Sequence, residues 1–263
     1  MNGDRSVAQP FSLQGRVGIV TGLANQDSIA YGCARACHAA GAEQIVTYAS
    51  PKAERFVTPL VAEMGDPELR CCDVQDDAEL EALFQRAAQR WGRLDFVVHS
   101  IAFAPRDDLH GRVVDCSREG FALAMDVSCH SFIRMARLAE PLMKPGGSLI
   151  CMSYYGAEKV VDNYNLMGPV KAALEAATRY LAAELGPSGI RVHAVSPGAI
   201  RTRAAAGLKD FDALVHDGET RSPLRRLASV DEVGQSVVYL ASAAGAALTG
   251  TTLYIDAGRH IRA

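Results

Sequence analysis

The sequence predicts an α/β fold in which seven parallel strands form a doubly wound sheet with helices on both faces. Short β-branched runs alternate with longer helical patterns along the chain, which favours a parallel sheet with right-handed crossovers. Runs such as 44–48 (QIVTY) and 94–100 (LDFVVHS) are almost continuously apolar, as strands are when both faces of their sheet are covered. No shift in composition divides the chain, so we interpret residues 1–263 as a single domain.

The predicted elements alternate from one end of the chain to the other. Strands are expected at 16–21, 44–48, 69–74, 94–100, 148–153, 190–196 and 252–256. Helices are expected at 29–40, 52–64, 76–91, 118–143, 167–185 and 230–242. The clearest helix is 76–91, where Leu80, Leu83 and Phe84 recur at helical spacing after an acidic first turn.

The longest connection that follows a predicted strand is the segment of about 197–226. In doubly wound sheets the ligand binds at the carboxyl ends of the strands, which is the edge from which this segment starts. We therefore expect it to form a lid and to supply the substrate pocket. Seven strands spread over 263 residues leave no room for a separate substrate domain.

Composition and charge exclude several classes of protein. The chain is 49% hydrophobic and 22% charged, which excludes a disordered or collagen-like protein. Its formal net charge of −3 gives no sign of a surface for nucleic acid or anionic lipid. It lacks a run of about 18 apolar residues, so we expect no membrane-spanning helix. Residues 1–12 lack the apolar core of a secretory signal, which predicts a cytoplasmic location.

The seven cysteines predict neither a disulfide framework nor a metal site. Their number is odd, and they are scattered through apolar segments. The sequence contains no Cys-x-x-Cys pair and no histidine cluster beside the cysteines, so we expect no bound metal. Reduced and mostly buried thiols fit the expected cytoplasmic location.

The turn after the first predicted strand has some features of a dinucleotide-binding loop of the Rossmann type. Gly22 stands at the turn, where backbone amides can approach a pyrophosphate at a helix N-terminus. The two later glycine positions hold the small residues Ser28 and Ala30, so the motif alone is weak. The end of the second strand carries no carboxylate for an adenosine ribose but has Ser50 and Lys52, which leaves NADH and NADPH both open.

A tyrosine and a lysine stand between the fifth predicted strand and the end of the next helix. Tyr164 and Lys171 are seven residues apart, close to two helical turns, so both side chains fit on one helix face. A nearby ammonium stabilises a phenolate, which makes the tyrosine a better proton donor or oxyanion partner. The alternative is a core tyrosine and a surface lysine without a catalytic role. Placement at the carboxyl edge of the sheet favours the catalytic interpretation.

Together these motifs resemble the short-chain dehydrogenase/reductase superfamily and, within it, the enoyl-acyl-carrier-protein reductases of bacterial type II fatty acid synthesis. Most of the superfamily places the tyrosine four residues before the lysine, whereas these reductases place it seven before, as Tyr164 and Lys171 stand here. The resemblance extends over about 13–255. It is carried by 21–22 (TG), 28–32 (SIAYG), 72–74 (CDV), 99–105 (HSIAFAP), 164–168 (YNLMG), 200–202 (IRT) and 209–211 (KDF).

The resemblance implies reduction of the trans-2 double bond of an enoyl thioester by NADH, with NADPH still open. Hydride goes to the β-carbon, and Tyr164 stabilises the enolate at the thioester carbonyl. Tyr154 is implied as the second tyrosine of the pocket, because the family's Ser-Tyr-x-Gly-Ala-Glu matches 153–158 (SYYGAE). The implied catalytic residues are Tyr154, Tyr164 and Lys171, and no metal is implied.

The resemblance also implies which residues contact the cofactor and the substrate. The implied cofactor-binding residues are Gly22, Ser28 and Ile29 at the pyrophosphate, Asp73 and Val74 at the adenine, Ser100, Ile101 and Ala102 beside the nicotinamide half, Lys171 at its ribose, and Ile200 and Thr202 at its carboxamide. The implied substrate-binding residues are Phe103, Ala104, Tyr154, Tyr164, Met167 and Phe211. The implied partners are an acyl thioester on acyl carrier protein and further copies of the chain in a homotetramer, joined through 118–143 and 167–185. Neither nucleic acid nor a membrane is expected.

Two departures from the family's pattern lie close to the implied site. Ala102 stands where the family usually has glycine, so we expect its methyl group to crowd the nicotinamide side and to weaken the binding of diphenyl-ether inhibitors. Pro169 removes an amide donor, which predicts that the regular helix begins near Gly168 and that Tyr164 lies in the preceding turn. In that case the two-turn argument for Tyr164 and Lys171 holds only approximately.

A third departure lies in the expected lid. After Lys209 the family often carries basic residues that meet the acidic carrier protein, whereas this chain has Asp212 and Ala213. We therefore expect weaker carrier docking and a divergent paralogue whose preferred thioester differs. The basic residues that could compensate are Lys209, Arg201, Arg203, Arg225 and Arg226.

Three rival functions remain at this point. A carbonyl or alcohol reductase of the same superfamily would want a serine about thirteen residues before its tyrosine, but that position holds Cys151, a poor oxyanion donor. An enoyl-CoA reductase would share the whole site. A non-catalytic, cofactor-sensing regulator would not need Tyr154, Tyr164 and Lys171 together.

Overall fold

Seven parallel strands form one sheet, in the order β3-β2-β1-β4-β5-β6-β7. The computed structural model describes residues 10–202 and 205–262. The strands are β1 (Val17–Thr21), β2 (Glu43–Tyr48), β3 (Glu68–Cys71), β4 (Phe96–His99), β5 (Gly147–Met152), β6 (Ile190–Pro197) and β7 (Thr251–Ile255). The predicted fold class, an α/β fold with a doubly wound, seven-stranded parallel sheet, is confirmed.

Nine α-helices lie in the described ranges. They are α1 (Ile29–Ala39), α2 (Glu54–Val57), α3 (Asp77–Trp91), α4 (Arg106–His110), α5 (Arg118–Met125), α6 (Ser131–Ala139), α7 (Met167–Leu185), α8 (Phe211–Arg221) and α9 (Val230–Ala241). A π-helical turn, Asp126–His130, joins α5 to α6. Among these helices none is long and apolar enough to cross a lipid bilayer.

Two of the predicted helices are interrupted. The segment 52–64 contains only the single turn α2 between short 3-10 turns, since Pro51 and Pro59 lack the amide hydrogen that a longer helix requires. The segment 118–143 is divided into α5 and α6 by the π-helical turn and ends in a 3-10 turn at Pro141. Both predictions of one continuous helix are therefore wrong.

Helices cover both faces of the sheet. On one face α1 and α9 lie so close together that a Cβ atom at Gly32 would come within 2.2 Å of the Val230 carbonyl oxygen. On the other face α3, α6 and α7 enclose a second core, with Phe132 and Leu174 fully buried against the sheet. Because helices cover both faces of the sheet, the strand sequences are almost continuously apolar.

The strand order fixes the place of a ligand crevice. The chain leaves β1 toward β2 on one side and later returns to β4 on the other, so the order reverses between β1 and β4. In doubly wound sheets the crevice opens at the carboxyl ends of the two strands that flank this reversal. The residues directly after these strands are Gly22 and Ser100.

All seven cysteines lie in the described ranges and are free. Five are buried, while Cys71 and Cys116 are partly exposed. Burial raises the pKa of Cys37 and Cys151 to about 12, because an apolar environment disfavours the thiolate.

Candidate active site

A cavity of about 820 Å³ lies at the carboxyl edge of the sheet, over the crevice between β1 and β4. Its walls come from the loops that follow β1, β4 and β5, from α4, from α7 with the turn before it, and from the lid segment 197–226, which follows β6. All of the predicted cofactor and substrate residues line it except Asp73 and Val74. The topology therefore gathers residues from six separate parts of the chain at one place.

Asp73 and Val74 lie in the turn after β3, outside this cavity. The strand β3 is the outer strand of the sheet and is separated from β1 by β2. The Asp73 carboxylate accepts a hydrogen bond from the Gln75 amide (3.0 Å), and Val74 is buried. The predicted strand 69–74 is wrong beyond Cys71, because the chain turns there toward α3.

The loop after β1 can accept a phosphate group. Gly22 has φ +92°, and a Cβ atom there would lie 2.1 Å from the Ser100 carbonyl oxygen, so only glycine fits. The Ser28 hydroxyl donates to the Asn25 carbonyl (2.6 Å) instead of capping α1. The first amides of α1 therefore have no side-chain cap, and its first turn carries no acidic residue. Such a helix N-terminus attracts an anion, so these residues fit a dinucleotide pyrophosphate.

The segment after β4 runs along one wall of the cavity and is held by the π-helical turn. The Phe103 amide donates to the Ser128 hydroxyl (2.9 Å), which donates in turn to the Phe103 carbonyl (3.0 Å). Phe103 is half exposed, and Ala102 lies beside it at the cavity wall. Because these bonds join segments far apart in sequence, they explain why local spacing gave no sign of the π-helical turn.

Tyr164 stands in a turn that precedes α7. Asn163 and Asn165 on either side of it have φ values of +62° and +42°, and the Asn165 side chain donates to the Leu109 carbonyl (2.8 Å). The helix α7 begins at Met167, so the expectation that Tyr164 lies before the helix is correct. The argument that placed Tyr164 and Lys171 on one helical face is therefore wrong, although both side chains line the same cavity.

Lys171 is buried on α7, and its ammonium donates to the Met152 carbonyl at the end of β5 (2.7 Å). Burial lowers the pKa of Lys171 to about 8. Burial, and next the charge of Glu175, raise the pKa of Tyr164 above its usual value. The expected stabilisation of the Tyr164 phenolate by Lys171 is therefore wrong, and Tyr164 remains a neutral phenol that can donate a hydrogen bond.

Tyr154 lies beside Tyr164, with 4.7 Å between the ring centroids. Burial raises the pKa of Tyr154, and the neighbouring Tyr155 raises it further. Tyr155 packs against Tyr154 at 4.8 Å but faces Arg259, whose guanidinium lies 5.4 Å from the Tyr155 ring. Tyr154 lines the cavity and Tyr155 does not, so Tyr154 is the better partner for Tyr164.

The lid segment contains α8 and contributes Ile200, Thr202 and Phe211 to the cavity. Its basic side chains are largely engaged. Arg201 lies 3.0 Å from Asp212, whereas Arg203 lies outside the described residues. Two atoms of the Arg226 guanidinium bond both oxygens of Glu232 (2.8 and 2.7 Å), while Arg225 and Lys209 are exposed.

Comparison with known proteins identifies the family. The family described as enoyl-(acyl carrier protein) reductase matches residues 22–260. The chain is 45% identical to enoyl-(acyl-carrier-protein) reductase (NADH) 1 of Rhizobium meliloti, over 94% of this chain and 91% of that one. It is 46% identical to the NADH-named enzyme of Bacillus cereus, over 95% of this chain and 98% of that one.

The chain belongs to the enoyl-acyl-carrier-protein reductase family. The structure of the Anaplasma phagocytophilum reductase in complex with NAD matches at a TM-score of 0.91 and 45% identity, covering 95% of both chains. The Bacillus cereus reductase with NADP⁺ and indole naphthyridinone matches at 0.92 and 46%, covering 95% of this chain and 98% of that one. The family and the enzyme class predicted from the sequence, an oxidoreductase of fatty acid synthesis, are thus confirmed.

Cys151 separates this reductase from a carbonyl reductase. Its side chain is fully buried and contacts the Thr178 hydroxyl (3.4 Å) instead of the cavity. The position at which the rival function needs a hydroxyl donor therefore holds a buried thiol. Within the described ranges there is also no cluster of His, Cys, Asp or Glu that could hold a metal ion.

Sequence reasoning missed one wall of the reductase cavity. Leu109 and His110 of α4 line it, and the His110 ring nitrogen bonds the Gly207 carbonyl of the lid (2.7 Å). Leu208 and Leu214 of the lid also line it. The four residues carry no motif, and only the apolar character of 208, 211 and 214 gave a signal for an acyl-binding wall.

Proposed function

We propose that this chain uses NADH to reduce the trans-2 double bond of an enoyl thioester carried by acyl carrier protein. The observation that carries this proposal is the joint presence of Tyr154, Tyr164 and buried Lys171 in one mainly apolar cavity. The other end of that cavity is the loop between Gly22 and α1, which fits a pyrophosphate. This combination suits a nicotinamide-dependent reductase of an apolar substrate.

The cofactor end is assigned to five residues. Gly22, Ser28 and Ile29 hold the pyrophosphate, since Gly22 leaves room for a close approach and no side chain caps the first amides of α1. Lys171 holds the nicotinamide ribose, and Thr202 holds the carboxamide. When bound, NADH supplies a hydride for the β-carbon of the substrate.

Tyr164 stabilises the charge that develops on the thioester oxygen. Its raised pKa keeps the phenol protonated, so the hydroxyl donates a hydrogen bond to the forming enolate. Tyr154, 4.7 Å away from ring to ring, supports Tyr164 and borders the acyl group. The α-carbon of the enolate then takes one proton and completes the saturated thioester.

The substrate end is assigned to apolar side chains that exclude water from the acyl chain. Phe103 and Ala104 form one wall, Met167 of α7 forms the base, and Phe211 of α8 closes the lid side. A water-poor cavity also strengthens the Tyr164 hydrogen bond, because the local dielectric constant is low.

The choice between carrier protein and coenzyme A depends on the lid surface. Lys209 and Arg225 are exposed, whereas Asp212 and Glu232 partly neutralise Arg201 and Arg226. We propose that the carrier protein docks here with a reduced electrostatic contribution. An enoyl-CoA reductase remains the second function, because it would use the same catalytic residues.

We further propose that four copies of the chain associate through α5, α6 and α7. Three large apolar side chains on these helices are exposed: Phe121 (41%), Ile133 (37%) and Tyr180 (73%). Burial of this surface in a second copy is favourable, since exposed apolar patches mark interaction sites. Sedimentation analysis is expected to give the mass of a tetramer. A monomer at micromolar concentration would contradict the proposed association.

The remaining proposals concern organisation and location. We propose that 1–263 act as one domain, because the single sheet carries both the cofactor end and the substrate end. We also propose a cytoplasmic location, which suits seven free cysteines in a reducing compartment.

The decisive experiment follows the oxidation of NADH and of NADPH with crotonyl thioesters and a ketoacyl thioester in parallel. We expect turnover of the crotonyl thioesters with NADH and none of the ketoacyl thioester. Turnover of the ketoacyl thioester alone would identify a carbonyl reductase. Cofactor binding without turnover of any substrate would identify a cofactor-sensing regulator.

A further inference from the structure

Two ionisable side chains on α7 are buried one helical turn apart. Lys171 and Glu175 are each 4% exposed. The Lys171 ammonium bonds the Met152 carbonyl (2.7 Å), and the Glu175 carboxylate accepts from the hydroxyl of the next residue, Ser153 (2.5 Å). Side chains at positions i and i+4 of a helix lie on one face, about 5–6 Å apart at their Cβ atoms. A buried cation and a buried carboxyl group therefore face the end of β5 together.

The other titratable groups around Lys171 are neutral near pH 7. Burial lowers the pKa of His99 on β4 to about 3 and raises the pKa of Cys151 on β5 to about 12. Burial also raises the pKa values of Cys129, in the π-helical turn, and Tyr164. Among the described groups that interact with Lys171, Glu175 is thus the one that can supply a full negative charge.

The surroundings of Glu175 supply hydrogen bonds to its carboxylate. Burial raises the pKa of Glu175 above its usual value, whereas hydrogen bonds from Ser153 and Thr252 lower it and so favour the ionised form. Arg179, one turn further along α7, also favours ionisation, and the exposed Glu158 opposes it. Arg179 lies at the surface, so it does not replace the charge of Glu175 inside the protein.

We propose that Glu175 is a positioning residue whose buried carboxylate keeps Lys171 protonated and thereby competent to bind the cofactor. The charge of Glu175 raises the pKa of Lys171 and so offsets part of the effect of burial, because an opposite charge favours the protonated ammonium. Without Glu175 a lone ammonium remains in an apolar site and loses its proton more readily. The inference rests on the proposed function, since it requires that Lys171 contacts the cofactor.

The test measures NADH binding and proton uptake by calorimetry, in buffers of different ionisation enthalpy, from about pH 6 to about pH 9.5. The wild type should take up about half a proton near pH 8, because the pKa of Lys171 is about 8 in the free protein. In Glu175→Gln the midpoint of uptake should fall by about one pH unit or more. For a shift of one unit, NADH affinity at pH 8 should fall about fivefold, because the protonated fraction of Lys171 falls from about one half to about one tenth.

Two further variants test whether the effect comes from the buried charge of Glu175. Glu184→Gln removes an exposed carboxylate from the same helix, so its midpoint of proton uptake should stay at the wild-type value. Glu175→Met removes the charge with a similar volume, and it replaces Glu175→Gln if that variant does not fold.

The outcomes distinguish failure of the proposed function from failure of the inference about Glu175. A wild type that binds no NADH contradicts the proposed function. A wild type that binds NADH without proton uptake between about pH 7 and pH 9 contradicts the inference by itself, even if neither neutral variant folds. An unchanged midpoint in a folded Glu175→Gln, or an equal shift in Glu184→Gln, also overturns it.

Discussion

Tyr164 is held by its neighbours in sequence and not by a regular helix. Two asparagines with positive φ flank it, and one of them bonds the α4 backbone. Asparagine adopts this conformation at a lower cost than most residues, which explains why the turn can be this tight. The phenol is therefore fixed in place before the substrate arrives, as stabilisation of an oxyanion requires.

Replacement of Tyr164 by phenylalanine should lower kcat about 10²–10³-fold and change KM much less. The lost hydroxyl acts on charge that exists in the transition state and not in the bound substrate. Steady-state kinetics with crotonyl thioester measure both constants. Tyr155→Phe is the matched control, because Tyr155 lies outside the cavity. Unchanged turnover in the Tyr164 variant would refute the assignment.

Diphenyl-ether inhibitors should bind weakly, and replacement of Ala102 by glycine should tighten them about tenfold. The Ala102 methyl group stands at the cavity wall beside the expected nicotinamide position. A tenfold change in inhibitor affinity corresponds to about 1.4 kcal/mol of binding free energy. Inhibition constants are to be measured with NAD⁺ present. Tight inhibition of the wild type would show that the methyl group does not crowd the inhibitor.

The identities of the site residues could be predicted from the sequence, but the directions of their pKa shifts could not. The family motif gave Tyr154, Tyr164 and Lys171, and all three line the cavity. The direction of the Tyr164 pKa shift depends on burial, which sequence spacing does not report. The role of Glu175 was also missed, because a glutamate inside a helix is usually exposed.

Among the elements, the lid segment 197–226 forms part of the cavity wall through Ile200, Thr202 and Phe211. The helix α8 begins at Phe211, directly after Asp210, which has φ +54°. The ion pair between Arg201 and Asp212 joins the first part of the lid to this helix. Both partners are exposed, so the pair adds little to stability but cancels a positive charge at the cavity entrance.

Replacement of Asp212 by alanine should lower KM for an enoyl thioester on carrier protein several-fold. The change frees the Arg201 guanidinium to attract an acidic partner, and the effect should weaken at high salt. KM for the coenzyme A thioester should change less. Asp231→Ala is a suitable control, because it frees Arg35 elsewhere on the surface. Equal KM values for the carrier substrate in both variants would contradict docking at the lid.

The elements differ in how well the sequence predicts them. Helices α3 and α9 follow from periodicity and capping residues, including a capping box at Ser229 and Glu232. The π-helical turn does not, since it is fixed by the bonds between Ser128 and Phe103. Tertiary contacts of this kind cannot be predicted from the spacing of apolar residues along the chain.

For the whole molecule, the parallel sheet buries polar groups as well as apolar ones. His193 on β6 is fully buried, and neither of its ring nitrogens has a partner among the described residues. His99 on β4 is buried as well, with one ring nitrogen 2.7 Å from Ser131. Burial lowers the pKa of His193 to about 4 and that of His99 to about 3.

These two histidines should make the protein unstable in mild acid. Each binds a proton below about pH 6.5 in the unfolded chain but stays neutral when folded, so stability is lost as the pH falls. We expect each to remove about 2 kcal/mol from the free energy of unfolding between pH 7 and pH 5. Urea denaturation at both pH values measures the loss.

His193→Asn should remove its share of this dependence, whereas His216→Asn, at an exposed position, should leave it intact. A free energy of unfolding that is equal at the two pH values in the wild type would contradict the burial of neutral histidines.

The number and type of strands could be predicted, but their order could not. Apolar runs mark where strands lie, whereas the order is set by which crossovers pack together. The position of the crevice between β1 and β4 depends on that order. This is also why the sequence did not separate Asp73 and Val74, which follow the edge strand β3, from the residues of the main cavity.

The burial of the cysteines has a consequence for covalent ligands. No cysteine lines the main cavity, so a compound that carries a thiol-reactive group there finds no thiol to attack. The reactive side chains there are the phenols of Tyr154 and Tyr164 and the amine of Lys171. The pKa of Lys171, about 8, leaves a sizeable uncharged fraction of the amine at physiological pH. Warheads that acylate or sulfonylate an amine are therefore best suited to this site, because the raised pKa values of Tyr154 and Tyr164 keep both phenols protonated.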